Sequence, residues 1–253
     1  MLKNLTLSLQ LLKQFTHEKN SWGVRELAKE LEANPTVVFR ILETMKNNGF
    51  MVQNPVTKKY SLGVIFLELG TVMKAGINLE KLIRPLLEEM CRISTESVFL
   101  TTIDGEECVT LMAVEPVNRV KASAFEGSRA PLYAGASYRA ILAFQDDGFI
   151  ERILDKGVVR FTSLTLTDKQ HYWDEIRKVR EKGVAISYGE YTPDVIAVAV
   201  PIKDASGAVT ASLTVSGPTY RFSEERQQEA IALLRQKQPE IENMLFRFNI
   251  FLA

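Results

Sequence analysis

Thr36-Val37-Val38-Phe39-Arg40-Ile41-Leu42-Glu43-Thr44-Met45-Lys46-Asn47-Asn48-Gly49 is the stretch that decides how this chain is read. Val38, Ile41, Leu42 and Met45 recur at the three- and four-residue spacing of a helix and make one apolar stripe. Asn47-Asn48-Gly49 closes that helix, because glycine accepts the left-handed backbone of a C-cap. With the stripe packed inward, Thr36, Arg40, Glu43, Thr44 and Asn47 fall on the outer face, and Phe39 lies at its edge. Such a face suits the major groove of B-DNA, where arginine bonds guanine and a methyl or aromatic group touches thymine.

Working outward, Val24, Leu27, Ala28 and Leu31 mark a preceding helix with Gly23 at its N-cap. Glu32-Ala33-Asn34-Pro35 stops it, since the residue before a proline is steered away from helical backbone. Leu5, Leu9, Leu12 and Phe15, with Leu2 ahead of them, give a first helix. On the other side, Phe50-Met51-Val52 and Lys59-Tyr60-Ser61-Leu62 read as strands around Asn54–Lys58. Helix, helix–turn–helix and hairpin is the order of a winged helix-turn-helix, here over residues 1–63. Lys58 and Lys59 at the wing tip, and Arg25 in the first turn of the second helix, are placed to meet phosphates. The bland alternative is a three-helix mini-domain with a solvated polar face.

Beyond Gly63 the pattern changes. Leu62, Ile65, Phe66, Leu69 and Met73 fit one linker helix over 64–76, ended by Ala75-Gly76. Leu79, Leu82, Ile83, Leu86, Leu87, Met90 and Ile93 form a second amphipathic stretch, in which Pro85 should kink the helix or begin a new turn. These faces are more apolar than two helices can hide, which points to a subunit contact. Over 77–253 strands and short helices alternate. Val98–Ile103 and Cys108–Val114 flank the turn signal Asp104-Gly105. Arg119–Ala124 reads as a further strand, and Ala136–Phe144 and Phe149–Leu154 as short helices. Asp168–Lys182 is a polar helix closed by Gly183; Val184–Tyr188, Val195–Ile202 and Ala208–Val215 are strands; Ser223 opens the last helix. The fold class is α+β, with a mostly antiparallel sheet in a sensor-like second module.

The 253 residues carry 31 basic and 31 acidic side chains, and this balance hides an asymmetry. Residues 1–63 hold nine Lys and Arg against five Glu, so the remainder is net acidic. A small basic head on an acidic body implies two domains with different partners. Chemistry is poorly supported. There are two histidines, His17 and His171, too few for a multi-histidine metal site. The two cysteines, Cys91 and Cys108, form neither a C-x-x-C motif nor a disulfide framework. G-x-S-x-G, the P-loop and G-x-G-x-x-G are absent. No enzyme, cofactor or metal is therefore expected. His171 and Arg139 read as surface residues and Cys108 as core. No signal peptide or membrane-length apolar run occurs, so the expected location is the cytoplasm. The apolar tail, Met244–Ala253, reads as a buried last helix or a subunit contact.

At this point the chain resembles the IclR (isocitrate lyase regulator) family of bacterial transcription factors. The resemblance is carried by Leu27–Leu31 with Thr36–Phe50, by Lys59-Tyr60-Ser61-Leu62-Gly63, by Gly127–Ser137, and by Gly183–Tyr191 running on to Ala199–Ile202 and Thr214–Pro218. It implies a winged helix-turn-helix, a linker helix and a C-terminal GAF-like domain that binds a small effector. It also implies dimers, with pairing into dimers of dimers, on palindromic double-stranded operators. The chain departs from the family pattern at Val37, where a hydroxyl is usual, and at Phe39, where Tyr or His is frequent. Both positions still belong to the implied DNA-facing set with Arg25, Thr36, Arg40, Thr44, Asn47, Lys58 and Lys59. Carried over in the same way, the effector set is Ala130, Leu132, Ala136, Ser137, Ser187, Val195, Ala197, Thr214 and Ser216. Ser187 stands where an acid is frequent, so the pocket keeps hydroxyls and loses a charge.

Two function classes follow. The first is an effector-responsive, DNA-binding regulator, read as a repressor, whose ligand is a small polar metabolite with a carboxylate. The second is a small-molecule-binding or catalytic GAF-like protein whose basic head binds another protein.

Overall fold

The computed structural model describes residues 2–77 and 79–252. It resolves into two compact units, Met1–Ile77 and Asn78–Ala253. Asn78, beside the boundary expected from the sequence, lies outside the described residues.

The first unit is built from α1 (Lys3–Leu12), α2 (Val24–Glu30), α3 (Pro35–Asn47), a hairpin of β1 (Met51–Gln53) and β2 (Tyr60–Leu62), and α4 (Ile65–Ile77). Proline sits in the first turn of α3, where its missing N–H costs nothing, and Asn34 Oδ1 accepts from Thr36 N at 2.8 Å. Val38 and Leu42 are fully buried and meet Leu11, Trp22, Leu27, Ala28, Met51 and Tyr60 in one small core. The first helix departs from its sequence reading. Leu11 is its buried residue, whereas Leu2, Leu5 and Leu9 face outward and are more than half exposed. Of the stripe read from the spacing, Leu12 and Phe15 pack against the small core while Leu5 and Leu9 stay outside it.

The sharpest packing constraint in this unit is at Gly63. A Cβ there would stand 2.0 Å from Gly49 O, where the end of α3 and the end of the wing touch backbone to backbone. Gly63 N donates to Phe50 O at 2.8 Å and seals that contact.

The second unit centres on a six-stranded antiparallel sheet of order β5-β4-β3-β8-β7-β6. Its strands are β3 (Ser97–Asp104), β4 (Glu107–Val114), β5 (Arg129–Pro131), β6 (Ala185–Tyr188), β7 (Val195–Lys203) and β8 (Val209–Pro218). Its helices are α5 (Leu79–Leu82), α6 (Arg84–Ser94), α7 (Ala136–Leu142), α8 (Asp147–Asp155), α9 (Lys169–Lys182) and α10 (Glu224–Arg247). Pro85 opens α6 rather than bending a longer helix. In the paired register, Val98, Val215 and Val198 form one row and Leu100, Leu213 and Val200 the next. These apolar rows face α6 and α10. The opposite face carries α7, backed by α8 and α9, around Cys108, Leu132, Ala140, Ile150, Tyr172, Ile176 and Ala199.

Two expectations fail in this unit. Arg119–Ala124 is not a strand; the edge strand is Arg129–Pro131, paired to β4. Backbone carbonyls of the 119–124 segment are met by side chains instead: Ser97 Oγ donates to Ala122 O and Arg221 Nη2 to Val120 O. Arg139 is not on the surface. It is fully buried, because its guanidinium grips Glu190 through two hydrogen bonds of 2.7 and 3.0 Å and donates to Ile186 O at 2.5 Å. The tail is mixed: Leu245, Ile250 and Leu252 are buried while Phe246, Phe248 and Phe251 face outward.

Candidate functional site

The outer face of α3 is laid out as its periodicity requires. Thr36, Phe39, Arg40, Thr44 and Asn47 are exposed, and Val37 is half-buried at the margin. Among the described residues nothing engages the Arg40 guanidinium, so its fork of donors is available to a base edge or a phosphate. Thr44 Oγ1 donates back to Arg40 O at 2.8 Å, which leaves its lone pairs outward. Lys58 is exposed at the wing tip, in left-handed backbone with φ of 58°. The Asn54 side chain accepts from Val56 N and Thr57 N and shapes that tip.

Lys59 and Arg25 are placed differently. Arg25 is exposed on the first turn of α2. Lys59 is half-buried and pairs with Glu26 at 3.3 Å. Glu26 in turn accepts from Gly23 N at 2.9 Å, capping α2. The Gly23 N–H bond, then the Lys59 ammonium, hold the Glu26 carboxyl below the usual carboxylate range. The wing and α2 are thus tied through Lys59 before any ligand arrives.

Four residues of this unit escaped the sequence reading. Trp22 is buried and forms a bridge to Tyr60, extending the hairpin by one rung. Lys19 lies over the Trp22 ring, 3.2 Å from its centroid. Tyr60, wholly buried, donates to Glu43 Oε1 at 2.7 Å, and Lys46 Nζ reaches the same oxygen at 2.5 Å. Glu43 therefore does not stand free on the outer face. Lys46 and then Tyr60 lower its carboxyl, while burial and Glu43 push the Tyr60 hydroxyl up to about 12. The available signal was Tyr60 itself: a tyrosine on the inner side of a hairpin needs a partner for its hydroxyl.

In the second unit the sheet register sets the candidate pocket. Ser187, Ala197, Ser216 and Ser97 form one cross-strand row on the α7 face, and Ala199, Thr214 and Phe99 form the next. Val195 lies on the same face one step toward the turn. The head of α7 comes down on these rows: Thr214 Oγ1 and Ser137 Oγ are 2.9 Å apart, with Ala136 buried beside them. Ala136, Ser137, Ser187, Val195, Ala197, Thr214 and Ser216 thus lie on this face of the sheet or at the head of α7. Leu132 shares the buried cluster of Ala136 and Ala199, and Ala130 stands on the edge strand β5, paired with Cys108.

The polarity of this face is unusual for a sheet interior. Ser187, Ser212, Thr214, Ser216 and Thr101 are all buried. Ser216 Oγ donates to Ile196 O at 3.0 Å, whereas the buried Ser212 Oγ has no partner. A buried hydroxyl left unpaired costs about 1–3 kcal/mol, which a ligand oxygen reaching it would recover. The Arg139–Glu190 pair fixes the frame around the pocket, since it joins α7 to the turn after β6. Thr165 Oγ1 extends the same brace by donating to Glu190 O at 2.7 Å. Cys108 is buried and burial pushes its thiol well up, which disfavours the thiolate that a nucleophile needs. Among the described residues no cluster of three His, Cys, Asp or Glu gathers as metal ligands. Among them, too, no helix is long and apolar enough to cross a membrane.

Comparison with known proteins bears on both units. The model of the IclR helix-turn-helix domain matches residues 6–55, and that of the bacterial transcriptional regulator IclR C-terminal domain matches residues 72–243. The HTH-type transcriptional regulator KdgR of Escherichia coli strain K12 is 32% identical over 219 residues, covering 86% of this chain and 83% of its own. The crystal structure of an IclR transcriptional regulator from Alicyclobacillus acidocaldarius superposes with a TM-score of 0.87 at 25% identity, over 96% of this chain and 98% of that one. An IclR homologue from Microbacterium hydrocarbonoxydans, crystallised with 4-hydroxybenzoate, shares the fold with a TM-score of 0.82 at 21% identity, over 96% and 98% of the two chains.

Proposed function

Because the chain belongs to the IclR family of bacterial transcriptional regulators, we propose that it represses transcription by holding a palindromic operator as a symmetric dimer, until a carboxylate metabolite alters that grip. A DNA-binding helix-turn-helix domain and a C-terminal effector domain are what family membership gives. The oligomer, the residues and the ligand class are our reading. The observation that carries it is the unengaged Arg40 on the exposed face of α3, flanked by Thr36, Phe39, Thr44 and Asn47. In this reading Arg40 and Thr44 read base edges, Val37 and Phe39 supply apolar contact, and Arg25, Lys58 and Lys59 hold phosphates.

Dimerisation is supported by exposed aliphatic side chains. Leu62, Val64, Leu67, Leu69, Val72 and Met73 on and before α4 are all exposed, as are Leu2, Leu5 and Leu9 of α1. So many exposed aliphatic side chains are covered most simply by a second copy, which also supplies the second half-site reader. The ligand class is supported by the head of α7, whose first N–H groups favour an anion, facing Ser187, Thr214 and Ser216. The 4-hydroxybenzoate held by the Microbacterium homologue is a carboxylate too. We assign the protein a binding role, with no catalytic step, in the cytoplasm.

The test is selection of genomic fragments by the full chain in excess competitor DNA. A few fragments sharing an inverted repeat, with half-sites spaced by about one helical turn, are expected. Indiscriminate or absent binding would favour the second reading, a ligand-binding protein whose basic head meets a protein.

A further inference from the structure

The α3 helix carries a single acid, Glu43, next to the face that presents Arg40, Thr44 and Asn47. A free carboxylate there would meet the phosphates lining a DNA groove, and like charges repel. The carboxylate is instead drawn back by two donors on one oxygen, Tyr60 Oη and Lys46 Nζ. Lys46 belongs to the same helix, but Tyr60 lies seventeen residues away on β2. Its backbone is fixed on both sides, by Gln53 of β1 and by Trp22, with Trp22 N to Tyr60 O at 2.9 Å and Tyr60 N to Trp22 O at 2.8 Å. The Tyr60 hydroxyl is therefore an anchor on the wing, and Glu43 ties the rotation of α3 to it.

We propose that Tyr60, Glu43 and Lys46 form a latch that sets the recognition helix against the wing, so that Tyr60 and Glu43 are positioning residues for base readout. The inference rests on the DNA-binding reading above. A helix turned slightly about its axis carries Arg40 sideways relative to Lys58, so the two can no longer reach base edge and phosphate together. Loss of the latch therefore lowers discrimination between sequences more than it lowers attraction to DNA in general.

The experiment is selection of bound duplexes from a random library by the full-length wild type. Affinities for the selected duplex and for a scrambled one are then measured for wild type, Tyr60→Phe, Glu43→Ala and Glu43→Gln. Glu43→Ala and Glu43→Gln remove the same charge, but the glutamine carbonyl still accepts from Tyr60. Tyr60→Phe and Glu43→Ala are expected to lose about tenfold in the selected-to-scrambled ratio, the scale of one hydrogen bond to a charged group. Glu43→Gln should stay within about twofold of wild type. A ratio unchanged in Tyr60→Phe and Glu43→Ala, with only the melting temperature lowered, would overturn the latch. So would Glu43→Gln losing as much as Glu43→Ala, which keeps the case decided even if Tyr60→Phe fails to fold. If the wild type selects no sequence at all, the DNA-reading itself fails and the latch with it.

Discussion

Arg40→Ala is expected to cost about 1–3 kcal/mol on the selected operator and to blur one base position. Lys58→Ala should instead weaken all sequences alike and reduce the salt slope by about one unit. Titrations on operator and scrambled DNA at several salt concentrations separate the two; equal losses on both duplexes for Arg40→Ala would remove its base-reading role. Arg139 makes a prediction of a different kind. Arg139→Met leaves the Glu190 carboxylate buried without its partner, which costs about 3–5 kcal/mol, whereas the double change Arg139→Met, Glu190→Leu should be much milder. Urea unfolding of the three proteins decides the matter. Arg139 was misread from sequence for a physical reason. One turn of helix shows that an arginine is present, but Glu190 lies 51 residues further along, and only the closed fold brings it near.

At the scale of elements, α3 was legible from its stripe and its terminal glycine, while Asn34 and Pro35, read as the stop of α2, also cap and open α3. Legible too were β3, β4, α9 and the start of α10, each bounded by a local turn or cap signal. The failures share a cause. Arg119–Ala124 has the composition of a strand, yet it is not paired in the sheet, and pairing is not written locally. The convergence of Ser137 with Thr214 rested on family resemblance, since nothing in either segment alone names its partner. The wing junction gives a pH prediction. Glu26 and Glu43 titrate below the ordinary 4.5 in the folded head and near it when unfolded. Their contribution is thus present above about pH 4.5 and lost as the pH falls through the lowered values. Thermal melts of the head should drop on acidification from about pH 5 to pH 3. Glu43→Gln should flatten that slope; an unchanged slope would mean that Glu43 titrates alike in both states.

For the whole molecule, the division into a basic head and an acidic body means that DNA affinity and ligand affinity can be altered separately. Ser137→Phe should fill the pocket, and Thr214→Val with Ser216→Ala should remove two of its hydroxyls, while operator affinity without ligand stays near wild type. Calorimetry with whichever carboxylate shifts the melt of the wild type checks this, and wild-type affinity in both variants would place the site elsewhere. Doubling is the other property of this scale. Leu67→Lys with Val72→Glu should convert a dimer to a monomer in sedimentation at micromolar concentration and sharply weaken operator binding, because one helix covers only a few base pairs. A wild-type monomer with undiminished affinity would contradict the dimer.

The protein has two tryptophans, and each unit holds one: Trp22 under the Lys19 ammonium, and Trp173, whose indole N–H donates to Glu151 at 2.9 Å. The molecule is therefore born with a separate fluorophore in its DNA-reading half and in its sensing half. In Trp173→Phe, the remaining emission comes from a ring with the Lys19 ammonium 3.2 Å from its centroid. Adding operator should draw Lys19 off the indole and shift that emission, and adding ligand to Trp22→Phe should be seen only from the body. Emission of Trp173→Phe that stays constant at saturating DNA would mean that Lys19 keeps its place on the ring in the complex.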